Sequence, residues 1–321
     1  MSTAGINSTA VPHPQSPLLT SLLRDVSRSF YLTLRVLPPA IRPQIGLAYL
    51  LARTTDTIAD TDLLPIEDRL HALNMLRERI MGTRVIPINF GNLAERQSNK
   101  SERLLLERVE EALAVFARFT YSDQQRIREV MDTITSGQEL DLRRFQDADE
   151  RRIIPLRDES ELDDYTYRVA GCVGEFWTKI CRGHLFPHSP LNDAELLRNG
   201  IRFGKGLQLV NILRDLPRDL RDGRCYIPRE GLDSIGLHPN DLLDVEMESA
   251  FRALYHGYLD KAAEHLEAGW NYTVSLPKRF IRLRLSCAWP VLIGIATLEK
   301  LRQANILDPN TTVKVSRNEV R

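Results

Sequence analysis

The amino-acid sequence predicts an all-α fold in a single domain. Apolar residues recur at helical spacing along most of the 321-residue chain, as they do in amphipathic helices that cover a core. No run of strands separated by Asn-Gly or Asp-Gly turns appears, so the usual signal of β-hairpins is missing. Hydrophobic residues make up 43% of the chain, which is enough to bury a sizeable core.

Helices are predicted wherever this spacing persists, and polar stretches separate them. Capping residues mark helix starts at Ser101, at Ser122-Asp123 and at Asn240-Asp241. Residues 83–99 and 147–158 are polar and are predicted to be loops. The predicted helices span 17–36, 41–62, 66–82, 101–119, 122–146, 160–182, 191–219, 239–268 and 278–304.

The chain divides into a central domain and two short tails. Residues 1–16 are rich in Ser, Thr, Pro and Ala and are predicted to be a disordered tail. That tail lacks a basic start and a long apolar stretch, so it is not a signal peptide. The helical domain is expected over 17–306, and a basic tail over 307–321.

Charge and cysteine usage exclude several classes of protein. The chain has 43 basic and 43 acidic residues, and this balance argues against binding to nucleic acid. The four cysteines form no CxxC pair, which fits a reduced, cytoplasmic protein. The longest apolar run, Cys287–Leu298, is shorter than the roughly 20 residues of a membrane-spanning helix. We therefore expect a core helix there and no transmembrane anchor.

Two polar stripes interrupt otherwise apolar helices. Tyr49, Arg53, Asp56 and Asp60 are spaced 4, 3 and 4 residues apart, so they share one helix face. A solvent-facing stripe with an Arg–Asp ion pair would explain this pattern taken alone.

The second stripe changes that interpretation. Gln208, Asn211, Asp215 and Asp219 are spaced 3, 4 and 4, and Arg214 beside them offers a fork that matches diphosphate oxygens. Carboxylates are the ligands that Mg²⁺ prefers when substrate phosphates share the ion. Two facing stripes of this kind predict a site for a diphosphate and Mg²⁺.

Five ordered motifs carry a resemblance to a known family. The sequence is similar to the squalene/phytoene synthase family, and most of all to its bacterial squalene synthases. The resemblance implies an isoprenoid synthase fold, a class I terpene synthase-like helical bundle around a central cavity. The motifs are Ser27–Phe30, Asp56–Asp60, Tyr165–Gly174, Gln208–Asp219 and Gly223–Pro228.

The resemblance also implies a reaction. Members of the family join two prenyl diphosphates head to head, and squalene synthases use farnesyl diphosphate twice. Presqualene diphosphate forms first, and NADPH then reduces it to squalene. Within the family, a protein that stops at presqualene diphosphate, or that makes dehydrosqualene or phytoene, is the alternative. A terpene cyclase of the same fold and a non-catalytic assembly factor are further alternatives, which the central tyrosine block and the four aspartates argue against.

The resemblance assigns roles to individual residues. Metal ligands would be Asp56, Asp60, Asp215 and Asp219, with Asn211 assisting, and catalytic tyrosines would be Tyr165 and Tyr49. The NADPH phosphates would contact Arg28, Arg53, Lys314 and Arg317. The substrate would contact Ser27, Arg28, Ser29, Phe30, Arg53, Val169, Gln208, Asn211, Arg214, Arg224 and Tyr226.

Some positions carry further expectations. Pro217 predicts a kink or an early end of its helix, because proline removes a backbone donor. Gly171 and Gly174 in mid-helix predict a close approach to substrate or to a neighbouring helix. Ser286 stands where squalene synthases carry a phenylalanine linked to the second half-reaction. We expect a cytoplasmic protein that touches the membrane surface transiently to release its hydrocarbon.

Overall fold

The architecture comes from a computed structural model that describes residues 23, 26, 30–61 and 64–315, without the side chains of 30–32. The predicted disordered tail lies outside these residues, as do Ser27, Arg28, Ser29 and Arg317. The all-α prediction is confirmed. The helices are α1 (Phe30–Val36), α2 (Arg42–Ala59), α3 (Ile66–Met81), α4 (Gly91–Arg96), α5 (Lys100–Glu107), α6 (Val109–Phe116), α7 (Tyr121–Arg144), α8 (Glu159–Thr166), α9 (Cys172–His184), α10 (Asp193–Arg221), α11 (Arg229–Ser234), α12 (Glu248–Ser275) and α13 (Ile281–Gln303).

A short parallel sheet was not predicted. Strand β1 (Ile154–Leu156) pairs with β2 (Arg224–Pro228), with Ile154 opposite Arg224. The prediction of a loop over 147–158 is therefore wrong at β1. A strand of three residues is too short to show an alternating pattern, and its partner lies about 70 residues away, so only the tertiary fold defines it.

Several predicted boundaries were also wrong. Helix α4 lies inside the predicted loop 83–99, and the predicted helix 101–119 breaks at Arg108 into α5 and α6. Helix α12 starts at Glu248 instead of 239, because residues 239–243 form a 3₁₀ turn. The Asp241 carboxylate accepts the backbone N–H of His238 at 2.7 Å, which closes that tight turn locally.

Helix α10 continues past Pro217 to Arg221, so the expected early helix end is wrong. Proline has no N–H for the carbonyl four residues earlier, which belongs to Leu213. The Tyr255 hydroxyl of α12 donates to this carbonyl at 3.1 Å. Because a buried carbonyl keeps a partner in this way, the helix tolerates the proline.

The helix that contains Gly174 crosses α10 at close range. Between α8 and α9 the helix widens into a π turn, Tyr167–Gly171, so α8, the π turn and α9 form one continuous rod. A Cβ on Gly174 would lie 1.9 Å from the Gly200 carbonyl oxygen. Of the two explanations for the mid-helix glycines, close approach to a neighbouring helix is confirmed at Gly174.

The buried side chains form two clusters. The first cluster contains residues of α2, α3, α5, α6, α7 and α9. The second contains residues of α8, α10, α12, α13 and β2. All four cysteines are buried free thiols, as their spacing predicted.

Helix α13 is the one helix in the described chain that is long and apolar enough to span a membrane, with a mean hydropathy of 1.4 in its most apolar window. It packs against α12, α10 and α1. The predicted core helix is therefore packed on one side, and 39% of its most apolar window is buried.

Candidate functional site

A cavity of about 950 Å³ lies where α2, α7, the π turn, α10 and β2 meet. Its wall contains both predicted aspartate pairs: Asp56 and Asp60 at the end of α2, and Asp215 and Asp219 near the end of α10. Both predicted motifs therefore lie in the wall of one cavity. The other predicted residues in the wall are Tyr165, Val169, Gln208, Asn211, Arg224 and Tyr226.

Four predicted site residues do not line this cavity. Tyr49 packs against the first core cluster, and the Arg214 guanidinium is bound to its neighbour Asp215, with nitrogen–oxygen distances of 2.8 and 2.6 Å. The Nη2 atom of Arg53 donates to Glu102 at 2.6 Å, and its Nη1 atom lies 4.0 Å from Asp56. Lys314 is exposed, and its carbonyl oxygen accepts from the Lys300 Nζ at 2.9 Å.

The first motif carries unfavourable negative charge. Desolvation of the Asp56 carboxylate and repulsion from Asp60 raise the pKa of Asp56 to about 6. The Asp56 side chain is 45% exposed, and this surface faces the cavity. The pKa of Asp60 is also raised, with burial as the largest cause. Asp60 directly follows the last residue of α2, where the negative end of the helix dipole disfavours a carboxylate.

The second motif has the same character. Burial raises the pKa of Asp219 to about 7, and the charge of Asp215 adds to this effect while Arg224 opposes it. The Arg224 Nη2 atom lies 3.3 Å from Asp219 and 2.9 Å from Asp222. Since Asp219 is only 15% exposed, its negative charge is poorly compensated at neutral pH.

Two arginines stabilise the negative charge of both motifs. Arg218 and Arg224 each lower the pKa of Asp60 and of Asp219, in opposition to burial. Asp60 directly follows α2 and Asp219 belongs to α10, so both cations act on the two motifs. Both arginines line the cavity. A diphosphate between the motifs would find a guanidinium partner for its oxygens.

A chain of hydroxyl groups runs along another wall. Tyr165 and Tyr226 stack with ring centroids 4.7 Å apart. The Tyr226 hydroxyl donates to the Asp141 carboxylate at 2.6 Å. Burial raises the pKa of Asp141 to about 6, although Tyr226 and Arg144 lower it. This pKa suits a group that accepts a proton near neutral pH.

The residues of the cavity fit Mg²⁺ that is shared with substrate. The Gln138 side chain donates to Asp56 at 2.7 Å, while its Oε1 atom is buried without a hydrogen-bond partner in the described chain. Over the same residues, no three His, Cys, Asp or Glu side chains form a complete metal site. Mg²⁺ is commonly held by one or two carboxylates together with substrate phosphates, and this donor set suits that mode.

Two of the four residues predicted for NADPH, Arg53 and Lys314, belong to the described residues. Arg53 is engaged by Glu102, and Lys314 contributes nothing to the cavity wall. Arg28 and Arg317 lie outside the described residues.

The polar residues of the cavity wall that the sequence did not predict include Gln138, Asp141 and Arg218. A signal for the first two exists, because Ile134, Gln138, Asp141 and Phe145 follow one another at intervals of 4, 3 and 4 along α7. This spacing puts two polar groups on an otherwise apolar face. Arg218 lies inside the second motif. It stands among several other charged residues, so no spacing pattern distinguished it as a site residue.

Comparison with known proteins agrees with the geometry. A presqualene diphosphate synthase from Rhodopseudomonas palustris is 30% identical over 254 residues, which cover 79% of this chain and 77% of that protein. A squalene synthase from Saccharomyces cerevisiae is 26% identical over 277 residues, which cover 86% of this chain and 59% of that one.

The fold is also found among solved structures. A squalene synthase from Alicyclobacillus acidocaldarius superimposes with a TM-score of 0.65 at 21% identity, over 90% of this chain and 93% of the other. The family model for squalene/phytoene synthases matches residues 23–319. The protein is thus a member of the squalene/phytoene synthase family.

Proposed function

We propose that this protein joins two molecules of farnesyl diphosphate head to head to form presqualene diphosphate. The observation that carries the proposal is the meeting of both aspartate pairs in one cavity whose wall also contains Arg218 and Arg224. The name of the relative from Rhodopseudomonas palustris supports this choice of product.

The first step is loss of diphosphate from one substrate molecule. Diphosphate leaves readily only when its charge is neutralised, and Mg²⁺ held by Asp56, Asp60, Asp215 and Asp219 would supply that neutralisation when bound. Arg218 and Arg224 hold the diphosphate oxygens. The resulting allylic cation is attacked by the double bond of the second molecule, and Tyr165 presents its ring to this cation.

Closure of the cyclopropane ring requires the loss of one proton. Tyr165, Tyr226 and Asp141 form the path for this proton, because the two tyrosine rings stack with centroids 4.7 Å apart and the Tyr226 hydroxyl donates to the Asp141 carboxylate. The pKa of Asp141, about 6, lets the carboxylate exist at neutral pH and still accept a proton. The tyrosines stay protonated at rest, since burial raises the pKa of each well above its usual value.

Reduction of presqualene diphosphate to squalene with NADPH is the second candidate. The 26% identity to the yeast squalene synthase favours it. We also infer that the protein works in the cytoplasm, where its buried thiols stay reduced.

The test is product analysis by gas chromatography–mass spectrometry after phosphatase treatment. Purified protein receives farnesyl diphosphate and Mg²⁺, with and without NADPH. We expect a cyclopropyl alcohol in both samples, and squalene with NADPH only if the second half-reaction occurs.

The matched variants are Asp56→Asn, in the cavity, and Asp132→Asn, an ion-paired residue on the outer side of α7. Asp56→Asn should lose product formation and Asp132→Asn should keep it. Release of diphosphate at equal rates by wild type and Asp56→Asn would refute the proposal, as would dehydrosqualene or phytoene as the main product.

A further inference from the structure

Helix α13 is apolar on two opposite faces. One face is buried in the bundle and includes Leu283, Val291 and Leu298. The opposite face carries Ile281, Leu285 and Leu292, which are 64%, 43% and 51% exposed. Their spacing of 4 and 7 residues puts them on one line along the helix. A surface helix of a globular protein usually presents polar residues to solvent. The exposed apolar stripe of α13 therefore requires an explanation.

The preceding helix also exposes apolar side chains. Trp270 and Val274 are four residues apart near the end of α12, and they are 42% and 45% exposed. A short connection, residues 276–280, joins α12 to α13, and the two helices pack against each other. We call Trp270, Val274, Ile281, Leu285 and Leu292 the α12–α13 surface. Apolar exposure concentrated in one helical hairpin marks an interaction site more often than scattered single residues do.

The charged side chains between Trp270 and Leu292 are all basic. Lys278, Arg279, Arg282 and Arg284 lie in or next to it, and no acidic residue occurs between Glu267 and Glu299. Lys278, Arg279 and Arg282 are exposed. None of the four forms an ion pair with the described part of the chain, and Arg279 lies over the Phe280 ring at 5.0 Å.

We propose that the α12–α13 surface docks on an anionic lipid membrane. Apolar side chains would enter the boundary between headgroups and acyl chains, and the basic side chains would contact the lipid phosphates. The stems of Lys and Arg can lie along apolar surface while their charges stay at the headgroups. Trp270 suits the same boundary, where tryptophan is enriched.

Charge argues against two other occupants. A second copy of the chain would bring its own four cations against these four, and like charges across an interface oppose association. The N-terminal residues 1–22 contain no acidic residue, so they offer no charge to match the basic side chains. An anionic lipid surface supplies both the negative charge and the apolar layer.

Docking along the surface agrees better with the fold than insertion across the bilayer. Helix α13 is long enough to span a membrane, but its other face packs on α12, α10 and α1. Neither α12 nor α13 contributes a residue to the wall of the 950 Å³ cavity. Membrane docking and the proposed chemistry can therefore fail independently.

The test is flotation of the full-length protein with vesicles. One set of vesicles contains phosphatidylcholine alone, and the other contains phosphatidylcholine with phosphatidylglycerol. We expect binding to the second set, and weaker binding at high salt because ions screen the attraction. Reversal of two charges in Lys278→Glu with Arg282→Glu should weaken binding roughly tenfold or more. Ile281→Ser with Leu292→Ser should also weaken it.

Matched controls come from another face of the molecule. Val85 and Ile86, between α3 and α4, are 84% and 68% exposed, so Val85→Ser with Ile86→Ser removes similar apolar area. Lys100→Glu with Arg118→Glu reverses two exposed charges elsewhere. Unchanged binding by these controls supports the proposal.

Three results would overturn it: no preference for phosphatidylglycerol, equal loss in the controls, or a wild-type dimer that Ile281→Ser with Leu292→Ser dissociates. Diphosphate release in vesicle-free buffer should be the same for all these variants, which verifies that each one is folded.

Discussion

Asp141 combines three properties that a proton acceptor needs in this cavity. Its carboxylate receives a hydrogen bond from Tyr226, its pKa is raised to about 6 by burial, and it lines the cavity. No predicted metal ligand is hydrogen-bonded to it. Its contribution to catalysis can therefore be separated from metal binding by substitution.

Asp141→Asn should lower the rate of presqualene diphosphate formation about 100-fold or more, the usual range for loss of a general base. The amide keeps the shape of the side chain but does not take up the proton. Tyr226→Phe should have a similar effect because it interrupts the path. The measurement is the product rate at saturating farnesyl diphosphate, with binding of the substrate followed separately.

Glu139→Gln serves as the control, since Glu139 lies on α7 but pairs with Arg77 away from the path. An Asp141→Asn variant with the wild-type rate would show that the proton leaves by another route. A loss of substrate binding equal to the loss of rate would assign Asp141 a role in shaping the cavity.

Asp219 should make the folded protein less stable as the pH rises. Its pKa is about 7 in the fold against an ordinary value of 3.8, so the folded state binds this proton more tightly than the unfolded state. The free energy of unfolding then falls as the pH rises from about 4 through about 7. Asp219→Asn removes this titration. Proteins commonly become more stable when a functional group of a strained active site is replaced.

We expect Asp219→Asn to melt at a higher temperature than wild type above pH 7, and the difference to disappear below about pH 4. Thermal melts across this range measure it. Asp222→Asn, which also removes a partner of Arg224, is the comparison. A lower melting temperature for Asp219→Asn at high pH would show that its ion pair with Arg224 outweighs the cost of burial.

The two aspartate pairs could be predicted from sequence because each lies on one helix, where spacing alone fixes the shared face. The position of Gln138 and Asp141 could not be predicted, because it depends on how α7 packs against α2 and α10. Arg53 and Arg214 lie beside the aspartates in sequence, yet Arg53 is engaged by Glu102 outside the cavity wall and Arg214 by its own neighbour Asp215. Local spacing predicts which residues share a face, but not which partner an arginine side chain chooses.

At the scale of elements, the crossing of α9 and α10 fixes the position of the cavity wall. Gly174 faces Gly200, and Gly204 faces the Ala170 carbonyl, where an added Cβ would lie 2.2 Å from the oxygen. This contact holds the π turn, which carries Val169 of the cavity wall, against α10, which carries the second motif. π turns are often found at functional sites.

Gly174→Ala should destabilise the protein by about 1–3 kcal/mol, because its new methyl group forces the helices apart. Gly257→Ala is the matched control, since Gly257 lies within α12 and nothing lies within 4 Å of its added Cβ. There alanine should stabilise by up to about 1 kcal/mol through its helix propensity. Chemical denaturation measures both changes, and equal effects of the two substitutions would mean that the close crossing is unimportant for stability.

The long helices were predictable because each presents many apolar residues at one period, whereas the short elements were not. Strands β1 and β2 are defined by pairing across the chain, and Gly223, which precedes β2, needs a positive φ of 75° that no spacing rule reveals. The passage of α10 through Pro217 depends on the Tyr255 hydroxyl from another helix. The two strands and the continuation of α10 past Pro217 thus depend on tertiary contacts, which local propensity does not predict.

At the scale of the whole molecule, the cavity lies between the two core clusters. Ile134 of its wall is buried in the first cluster, and Ile212 is buried in the second. The first aspartate pair belongs to α2, on the side of the first cluster, and the second pair to α10, on the other side. A ligand held by both motifs would connect the two halves of the molecule.

Mg²⁺ and inorganic diphosphate together should therefore raise the melting temperature more than the sum of their separate effects. At a hundredfold excess over the dissociation constant, binding adds about 2.7 kcal/mol, or roughly 5 °C for a domain of this size. Asp56→Asn and Asp215→Asn, one from each half, should each remove most of the joint shift, whereas Asp132→Asn should keep it. Since each variant leaves one motif intact, a full shift in either would mean that the diphosphate is held by one half alone, and the two clusters would then need no ligand to couple them.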